Sequence, residues 1–362
     1  MAALADKPAR LISALHGAFS NGTALVERRP LYRGAVRASQ SGPGSGEAQG
    51  EGIVSVTDDT MIEAADSTAR RWKAVGEGAI RPGSDRHKAA FCRMLLDTHN
   101  PYKPAVIDWP KLDPEARDRL VSLPIWDIAV QTEGKASTRV RSYAELVDDS
   151  LLREAVLLNG FEEGRHKQVL ANLVAAYNVR LAPEPEYLPP RHAEWAFMVT
   201  GYSECIDSFF AFGLFRLAQR SEFFPRELVD TFEPVMQEEA RHILFFVNWA
   251  TWHRHNLAWW RKPWFCLKVA AVWGFLIGER IGLARSAGKT VDGGDQDNSF
   301  TLTGSKAVAD IDLSPAALID LCLAENERRM AGYDARLLRP QVMPRLLRLA
   351  RRFLRSPVPA PA

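Results

Sequence analysis

The middle third of the chain carries apolar side chains at intervals of three and four residues, the spacing of amphipathic helices. A first helix is predicted to begin near Pro124, a favourable residue in a first turn, with Ser122 as a candidate N-cap. A second helix is predicted to follow the cap cluster at 148–150 and to run to about Val179. Little β-branched alternation interrupts either segment, so an all-α fold is expected.

Two further helices are predicted downstream. The third starts after Pro190 and ends near Arg220, and the fourth follows Pro225, with Pro234 marking either a kink or its true start. Residues 180–190, which join the second helix to the third, are rich in proline. Their extended length of about 36 Å approaches the length of the preceding helix, so they could cross the whole bundle or make a simple return.

The rest of the chain divides by composition. Residues 38–52 are rich in glycine and serine and cannot bury apolar surface, which predicts a linker. A tryptophan-rich stretch at 249–273 contains an apolar run that is too short for a membrane span, and a buried or interfacial helix is expected there. The predicted divisions are a flexible N-terminal segment and linker (1–56), an accessory helical region (57–121), the four-helix region (122–256), a C-terminal helical extension (257–355) and a disordered tail (356–362).

Composition and charge narrow the function classes. The chain is 46% hydrophobic and 25% charged, as in ordinary globular proteins, and its net charge of +2 argues against a dedicated nucleic-acid binder. The four cysteines form no C-x-x-C pair, which excludes a disulfide scaffold, a zinc ribbon and an attached rubredoxin-type electron carrier. The first residues lack the pattern of a secretory signal, so a cytoplasmic location is expected.

One pentapeptide pattern, Glu-Glu-x-Arg-His, occurs twice in the sequence. Each copy contains a Glu-x-x-His pair, Glu163 with His166 and Glu239 with His242. Both pairs lie on predicted helices, where residues three apart share one face. A carboxylate and an imidazole one turn apart can bind a single metal ion, or one ion each at a dinuclear site.

The spacing of two other glutamates supports a dinuclear site, which needs one more carboxylate from each of two further helices. Glu133 lies 30 residues before Glu163, and Glu204 lies 35 residues before Glu239. Residues of an antiparallel helix pair are level when the turn falls midway between them, and both midpoints, at 148 and at 221–222, fall in predicted turns. The sequence therefore predicts a site built from Glu133, Glu163, His166, Glu204, Glu239 and His242.

On four consecutive predicted helices the chain carries a glutamate, a Glu-x-x-His pair, a second glutamate and a second Glu-x-x-His pair. This order resembles the pattern of the ferritin-like di-iron carboxylate superfamily. The resemblance covers about residues 122–256. It implies an all-α fold with a ferritin-like four-helix bundle and additional N- and C-terminal helices. It also implies that two irons are bridged by Glu163 and Glu239, capped by His166 and His242, and bound terminally by Glu133 and Glu204.

The sequence differs from several members of this superfamily, and these differences indicate which branches it resembles most. Ferritins normally lack the second histidine, so His242 argues against simple iron storage, and the rubredoxin-like domain common in rubrerythrins is absent from this sequence. The bacterial arylamine N-oxygenases carry an extra histidine four residues before the last glutamate, where this chain has Val235. The pattern is more similar to the ubiquinone-biosynthesis hydroxylase, aldehyde-deformylating and acyl-carrier desaturase branches.

The ligand types suit Fe(II) or Mn(II), because imidazoles and carboxylates are present without thiolate. Two iron ions are expected, with a manganese–iron or manganese pair as the alternative. Glu162 and Glu238 could replace their neighbours as ligands, point outward, or pair with Arg165 and Arg241. Asp207 could accept the N–H of a ligand histidine.

These inferences predict an O2-activating di-iron oxidase or monooxygenase acting on an apolar or amphipathic organic substrate. The sequence has no dinucleotide fingerprint and no Fe–S cysteine cluster, so electrons would come from a separate reductase. The alternatives are a ferroxidase or peroxide scavenger without organic substrate, and a non-catalytic helical metal-binding protein. An apolar cavity beside Glu133 and Glu204 would favour the first function, and a solvent-open, carboxylate-lined iron path would favour the second.

The expected partners follow from this function: O2, an external electron donor, and a small-molecule or lipid-like substrate, but no nucleic acid. Five arginines interleave with leucines between 345 and 355. This C-terminal helix is expected to be a solvated face, with peripheral contact to the inner face of an anionic membrane as the alternative. A homodimer is a further expectation.

Overall fold

The described part of the chain is all-α. The computed structural model describes residues 59–104, 107–123, 125–221, 224–286 and 314–354. The chain divides into two units, 1–53 and 54–362, and the described residues all lie in the second unit. Every regular element among them is helical, which confirms the all-α part of the predicted fold class. The predicted linker at 38–52 and the predicted tail at 356–362 lie outside the described residues.

The helices are numbered here in chain order over the described residues. None of them combines the length and the hydropathy of a membrane-spanning segment. They are α1 (Asp59–Arg71), α2 (Asp85–Asp97), α3 (Pro114–Ser122), α4 (Trp126–Ala144), α5 (Ser150–Ala176), α6 (Ala193–Arg220), α7 (Arg226–Asp230), α8 (Glu233–Asn256), α9 (Lys262–Ser286), α10 (Pro315–Met330) and α11 (Val342–Arg351), with a 3₁₀ turn at Trp259–Arg261 before α9.

Helix starts follow the local sequence with one exception. Asp149 caps α5 as predicted, because its side chain accepts a backbone N–H of the first turn. Pro234 lies in the first turn of α8 and therefore marks the true start of that helix, after the short α7. Ser122 does not cap α4, which begins at Trp126 without a side-chain cap. Ser122 instead ends α3, and its hydroxyl donates to a carbonyl of that helix.

The connection between α5 and α6 runs the length of α4. The backbone N–H of Ala182 donates to Asp127 at the start of α4, at 2.8 Å. Phe197 in the first turns of α6 stacks on Tyr143 at the end of α4, with ring centroids 4.4 Å apart. The segment is therefore a crossover, and α6 runs antiparallel to α4 and parallel to α5.

Helices α6 and α8 pack closely in antiparallel orientation. Gly201 makes this approach possible, because the ring of Phe246 fills the space that a Cβ at Gly201 would occupy. Farther along α6, Ser208 donates to Glu239 of α8 at 2.9 Å. Helix α2 packs on both α5 and α8, so its C-terminal end reaches the polar groups between those two helices.

Candidate metal centre

The six predicted ligands lie together in the interior between α4, α5, α6 and α8. The two histidine ring centroids are 5.5 Å apart. The turn at 145–149 falls midway between Glu133 and Glu163, so the first hairpin brings these two glutamates to the same level, as predicted. The connection at 221–232 contains α7 and is centred about five residues beyond the midpoint of Glu204 and Glu239, so the second hairpin does not have its turn where the spacing predicted it. The side chains form two groups with ligand atoms within 4.8 Å of one another, and these groups are Glu133, Glu163, His166 and Glu239, and Glu163, Glu204 and His242. The cluster can therefore hold a metal ion, and Glu163 is common to both groups.

Glu162 crosses from α5 to contact the histidine of the other motif copy. It is fully buried, and its Oε2 lies 2.7 Å from Nε2 of His242. Its Oε1 accepts a hydrogen bond from Arg241 at 2.8 Å and lies 2.7 Å from Nδ1 of His99, which follows α2. The outward orientation considered from the sequence is thus wrong for Glu162. The pairing with an arginine is present, mainly with the arginine of the other helix.

Glu238 makes the mirror-image set of contacts from α8. Its Oε2 lies 2.8 Å from Nε2 of His166, and its Oε1 accepts from Arg165. Tyr102, in the loop after α2, donates to the same carboxylate at 3.4 Å. Glu238 is also buried and does not point outward. Each motif copy therefore supplies the carboxylate that holds the imidazole of the other copy, and that carboxylate is bound in turn by the arginine of the imidazole's own copy.

The atoms that face the centre of the cluster fit a metal ion. Three of them are buried and have no hydrogen-bond partner: Oε1 of Glu163, Nδ1 of His166 and Nδ1 of His242. Nδ1 of His242 lies 2.8 Å from Oε1 of Glu163, yet their orientation does not make a hydrogen bond. Buried polar atoms without partners are costly, and cations held by the two groups of ligand atoms would satisfy all three. Carboxylate oxygens with imidazole nitrogens are a donor set that suits Fe(II) or Mn(II).

Burial and crowding of charge alter the proton affinities of these groups. Burial raises the pKa of Glu133 to about 8. Burial and then the charge of Glu163 raise the pKa of Glu204 well above its usual range. For His242, burial favours the neutral ring, but the charge of Glu163 and other carboxylate contacts outweigh it and raise the pKa to about 10. The metal-free centre therefore retains protons that a divalent cation would displace.

A cavity of about 300 Å³ opens onto the cluster beside Glu133 and Glu204. Its walls come mainly from α4, α6, α7 and α8. This volume is within the range of small-molecule pockets. Away from the carboxylates the lining is largely apolar and includes Leu120, Trp126, Leu170, Ala211, Leu214, Phe215, Leu228 and Phe232.

Asp207 lines the same cavity but does not contact a ligand histidine. Its carboxylate accepts hydrogen bonds from Arg280 of α9 and from Ser203, both at 2.6 Å. The expected role of Asp207 as acceptor for an imidazole N–H is therefore corrected, because Glu162 and Glu238 bind both Nε2 atoms. Sequence reasoning missed Arg280, since α9 lies outside the four predicted ligand helices.

His99 and Tyr102 were also missed. They contact the buried glutamates from the loop after α2, and no spacing pattern links them to the Glu-x-x-His pairs. Only the packing of α2 on α5 and α8 brings them to the centre.

Comparison with known proteins assigns no family to the chain, because no family model, no curated protein and no solved structure matches it.

Proposed function

We propose that the protein is an O2-activating di-iron oxidase or monooxygenase that acts on an apolar or amphipathic organic substrate. The observation that carries the proposal is the apolar cavity that ends at Glu133 and Glu204. A ferroxidase needs a polar route for iron, whereas the cavity walls leading away from the cluster are largely leucine, phenylalanine and alanine. An apolar molecule of moderate size would fit there with one end beside the metal ligands.

The proposal includes a ferritin-like four-helix bundle formed by α4, α5, α6 and α8. Three features support this architecture. The pairs α4–α5 and α6–α8 are antiparallel hairpins, and a single long crossover joins them. Two of these helices carry Glu-x-x-His, and each of the other two carries one of the predicted glutamate ligands.

The residues of the chain divide the work of such a centre. Two ferrous ions held by the six side chains would supply the electrons for reduction of O2, and a separate reductase would restore them. Glu162 and Glu238 hold the imidazole Nε2 atoms and leave Nδ1 of His166 and His242 free for the metal. Four carboxylates balance the charge of two divalent cations, which lowers the cost of burying them. The cavity walls exclude water and orient the substrate.

Anaerobic loading of the full chain with Fe(II), followed by mixing with O2 in a stopped-flow spectrometer, tests the proposal. We expect two irons per chain, consumption of O2 and a rapid change in near-ultraviolet absorbance. Glu163→Gln should abolish the absorbance change, while Glu154→Gln, which alters an exposed residue of the same helix, should retain it.

Three outcomes would contradict the proposal. An iron content below one per chain would contradict the presence of a metal centre. A bound metal that does not react with O2 would support a structural metal site. Continued oxidation of Fe(II) well beyond two per chain would support the ferroxidase alternative.

A further inference from the structure

Helix α9 and the turn before it present a large apolar surface that no other described residue covers. Trp259, Trp260, Trp264 and Leu267 are 78%, 60%, 62% and 51% exposed. Positions 260, 264 and 267 lie three or four residues apart and share one face of the chain. Farther along α9 the exposed large side chains are Phe275, Ile277 and Ile281. Apolar patches of this extent mark interaction surfaces.

The opposite face of α9 is held firmly on the protein. Phe265, Val272 and Leu276 are buried in the main core, so α9 is apolar on both its inner and its outer side. Arg280 on the inner side donates to Asp207, which lines the apolar cavity. A helix that is apolar all round is normally covered on all sides, so the outer face of α9 needs an apolar environment.

The charges around this face indicate what that environment is. No aspartate or glutamate occurs between Ala240 and Gly278 in the sequence. Arg261 directly follows Trp260 and is exposed, Lys262 is partly exposed, and the exposed Arg254 precedes the tryptophans by five residues. Tryptophans flanked by lysine and arginine are typical of segments that lie at the level of lipid headgroups, and anionic lipids attract the basic residues.

We propose that the outer face of α9 lies on an anionic lipid surface, with Trp259, Trp260 and Trp264 among the headgroups. This location differs from the alternative considered from the sequence, which placed peripheral membrane contact on the C-terminal helix. It also stands independently of the proposed enzymatic function. If both hold, the contact between Arg280 and Asp207 places the lipid-bound helix against the wall of the substrate cavity.

Sedimentation of the full chain with lipid vesicles tests the proposal. Vesicles of phosphatidylcholine with phosphatidylglycerol should bind the protein, and vesicles of phosphatidylcholine alone should bind it several-fold more weakly. The triple variant Trp260→Ser, Trp264→Ser, Leu267→Ser should bind the anionic vesicles at least tenfold more weakly. Its circular dichroism should be unchanged, because all three side chains are exposed.

A matched triple variant controls for loss of apolar surface in general. Leu146, Leu157 and Leu188 are also exposed but lie outside α9, and their replacement by serine should leave vesicle binding unchanged. Three results would overturn the proposal. The first is a full chain that does not bind anionic vesicles, and the second is equal loss of binding in both triple variants. The third is a full chain that binds no vesicles but forms a dimer in sedimentation velocity, where the α9 variant is a monomer. That result would assign the outer face of α9 to a second copy of the chain, for which Gly274 and Gly278 leave open space.

Discussion

Glu162 on α5 contacts His242 on α8 through a 2.7 Å distance between Oε2 and Nε2, and this contact determines which ring nitrogen faces the metal centre. Burial would raise the pKa of Glu162, but the charge of Arg241 and the contacts with two imidazoles hold it well below its usual range. Glu162 is therefore a carboxylate that only accepts hydrogen bonds, so Nε2 of His242 must carry the proton. In the neutral ring, Nδ1 is then left with a lone pair for a metal ion.

Replacement of this carboxylate should weaken metal binding without removing any ligand. We expect Glu162→Gln to lower the affinity for Fe(II) or Mn(II) about ten- to hundredfold, because the amide no longer holds the imidazole with a charge-assisted hydrogen bond. Glu238→Gln should have an effect of similar size, since Glu238 makes the mirror-image contact with His166. Competition with a chromophoric chelator measures both affinities. An effect below twofold in both variants would contradict the proposed role.

Loss of the shared ligand should have a larger effect than loss of a terminal one. Glu163 belongs to both groups of ligand atoms, whereas Glu133 belongs to one. We expect Glu163→Ala to reduce the metal content of the Mn(II)-loaded protein from about two to below one per chain. Glu133→Ala should retain at least one, because the second group stays intact. Elemental analysis after gel filtration measures the content, and equal losses in both variants would count against a shared glutamate.

The stability of the metal-free protein should fall as the pH rises. The pKa of Glu133 is raised from 4.5 to about 8 and that of His242 from 6.5 to about 10, so the folded state binds more protons than the unfolded state between these limits. The stability that these protons provide is complete below the unfolded pKa values and is lost as the pH rises through the folded ones. Metal replaces the protons, so its binding should strengthen with pH.

Thermal unfolding at pH 6, 7, 8 and 9 measures this linkage. The difference in Tm between Mn(II)-loaded and chelator-treated protein should widen across the series. Titration calorimetry at pH 7 in two buffers of different ionisation enthalpy should detect release of at least one proton per chain. A Tm difference that narrows with pH would show that Glu133 and His242 are not protonated in the metal-free state.

The common level of Glu133 and Glu163 along the bundle could be predicted from the sequence, because it depends on local signals. The Asp149 cap fixes the turn of the first hairpin, and the spacing from Glu133 to Glu163 then sets their common level. The crossing of Glu162 to His242 could not be predicted in the same way. It depends on the rotation of α5 against α8, which arises from packing between helices and not from the sequence of either one.

Contacts between segments that are distant in the sequence could not be predicted either. Arg280 reaches Asp207 across 73 residues of sequence, and His99 reaches Glu162 across 63. Neither contact follows from periodicity or capping, since both require the position of a helix outside the predicted bundle. Ser122 shows the opposite failure, because a correct cap residue type was assigned to the wrong helix end.

Filling the cavity should separate substrate binding from metal chemistry. Ala211 lines the cavity on α6, two turns from Glu204. We expect Ala211→Leu to stabilise the protein by about 0.5–2 kcal/mol by filling empty apolar space, and to leave the O2-dependent absorbance change of the Fe(II) protein intact. Oxidation of apolar test substrates should fall at least tenfold. Ala175→Leu, at an exposed site of α5, is the control, and it should change neither the O2-dependent absorbance nor the oxidation of the test substrates. Unchanged substrate oxidation in Ala211→Leu would place the substrate elsewhere.

Two glycines in helices should respond to alanine in opposite directions. A Cβ at Gly201 would overlap the ring of Phe246 in the contact between α6 and α8, so Gly201→Ala should cost about 1–3 kcal/mol. Because α6 carries Glu204 and α8 carries Glu239, the same change should also weaken Mn(II) binding. A Cβ at Gly274 on α9 would meet no atom within 4 Å, so Gly274→Ala should stabilise its helix by up to about 1 kcal/mol and leave Mn(II) affinity unchanged. Chemical denaturation and chelator competition measure the two effects. Equal metal affinity in both variants would mean that the α6–α8 distance at Gly201 does not control the metal centre.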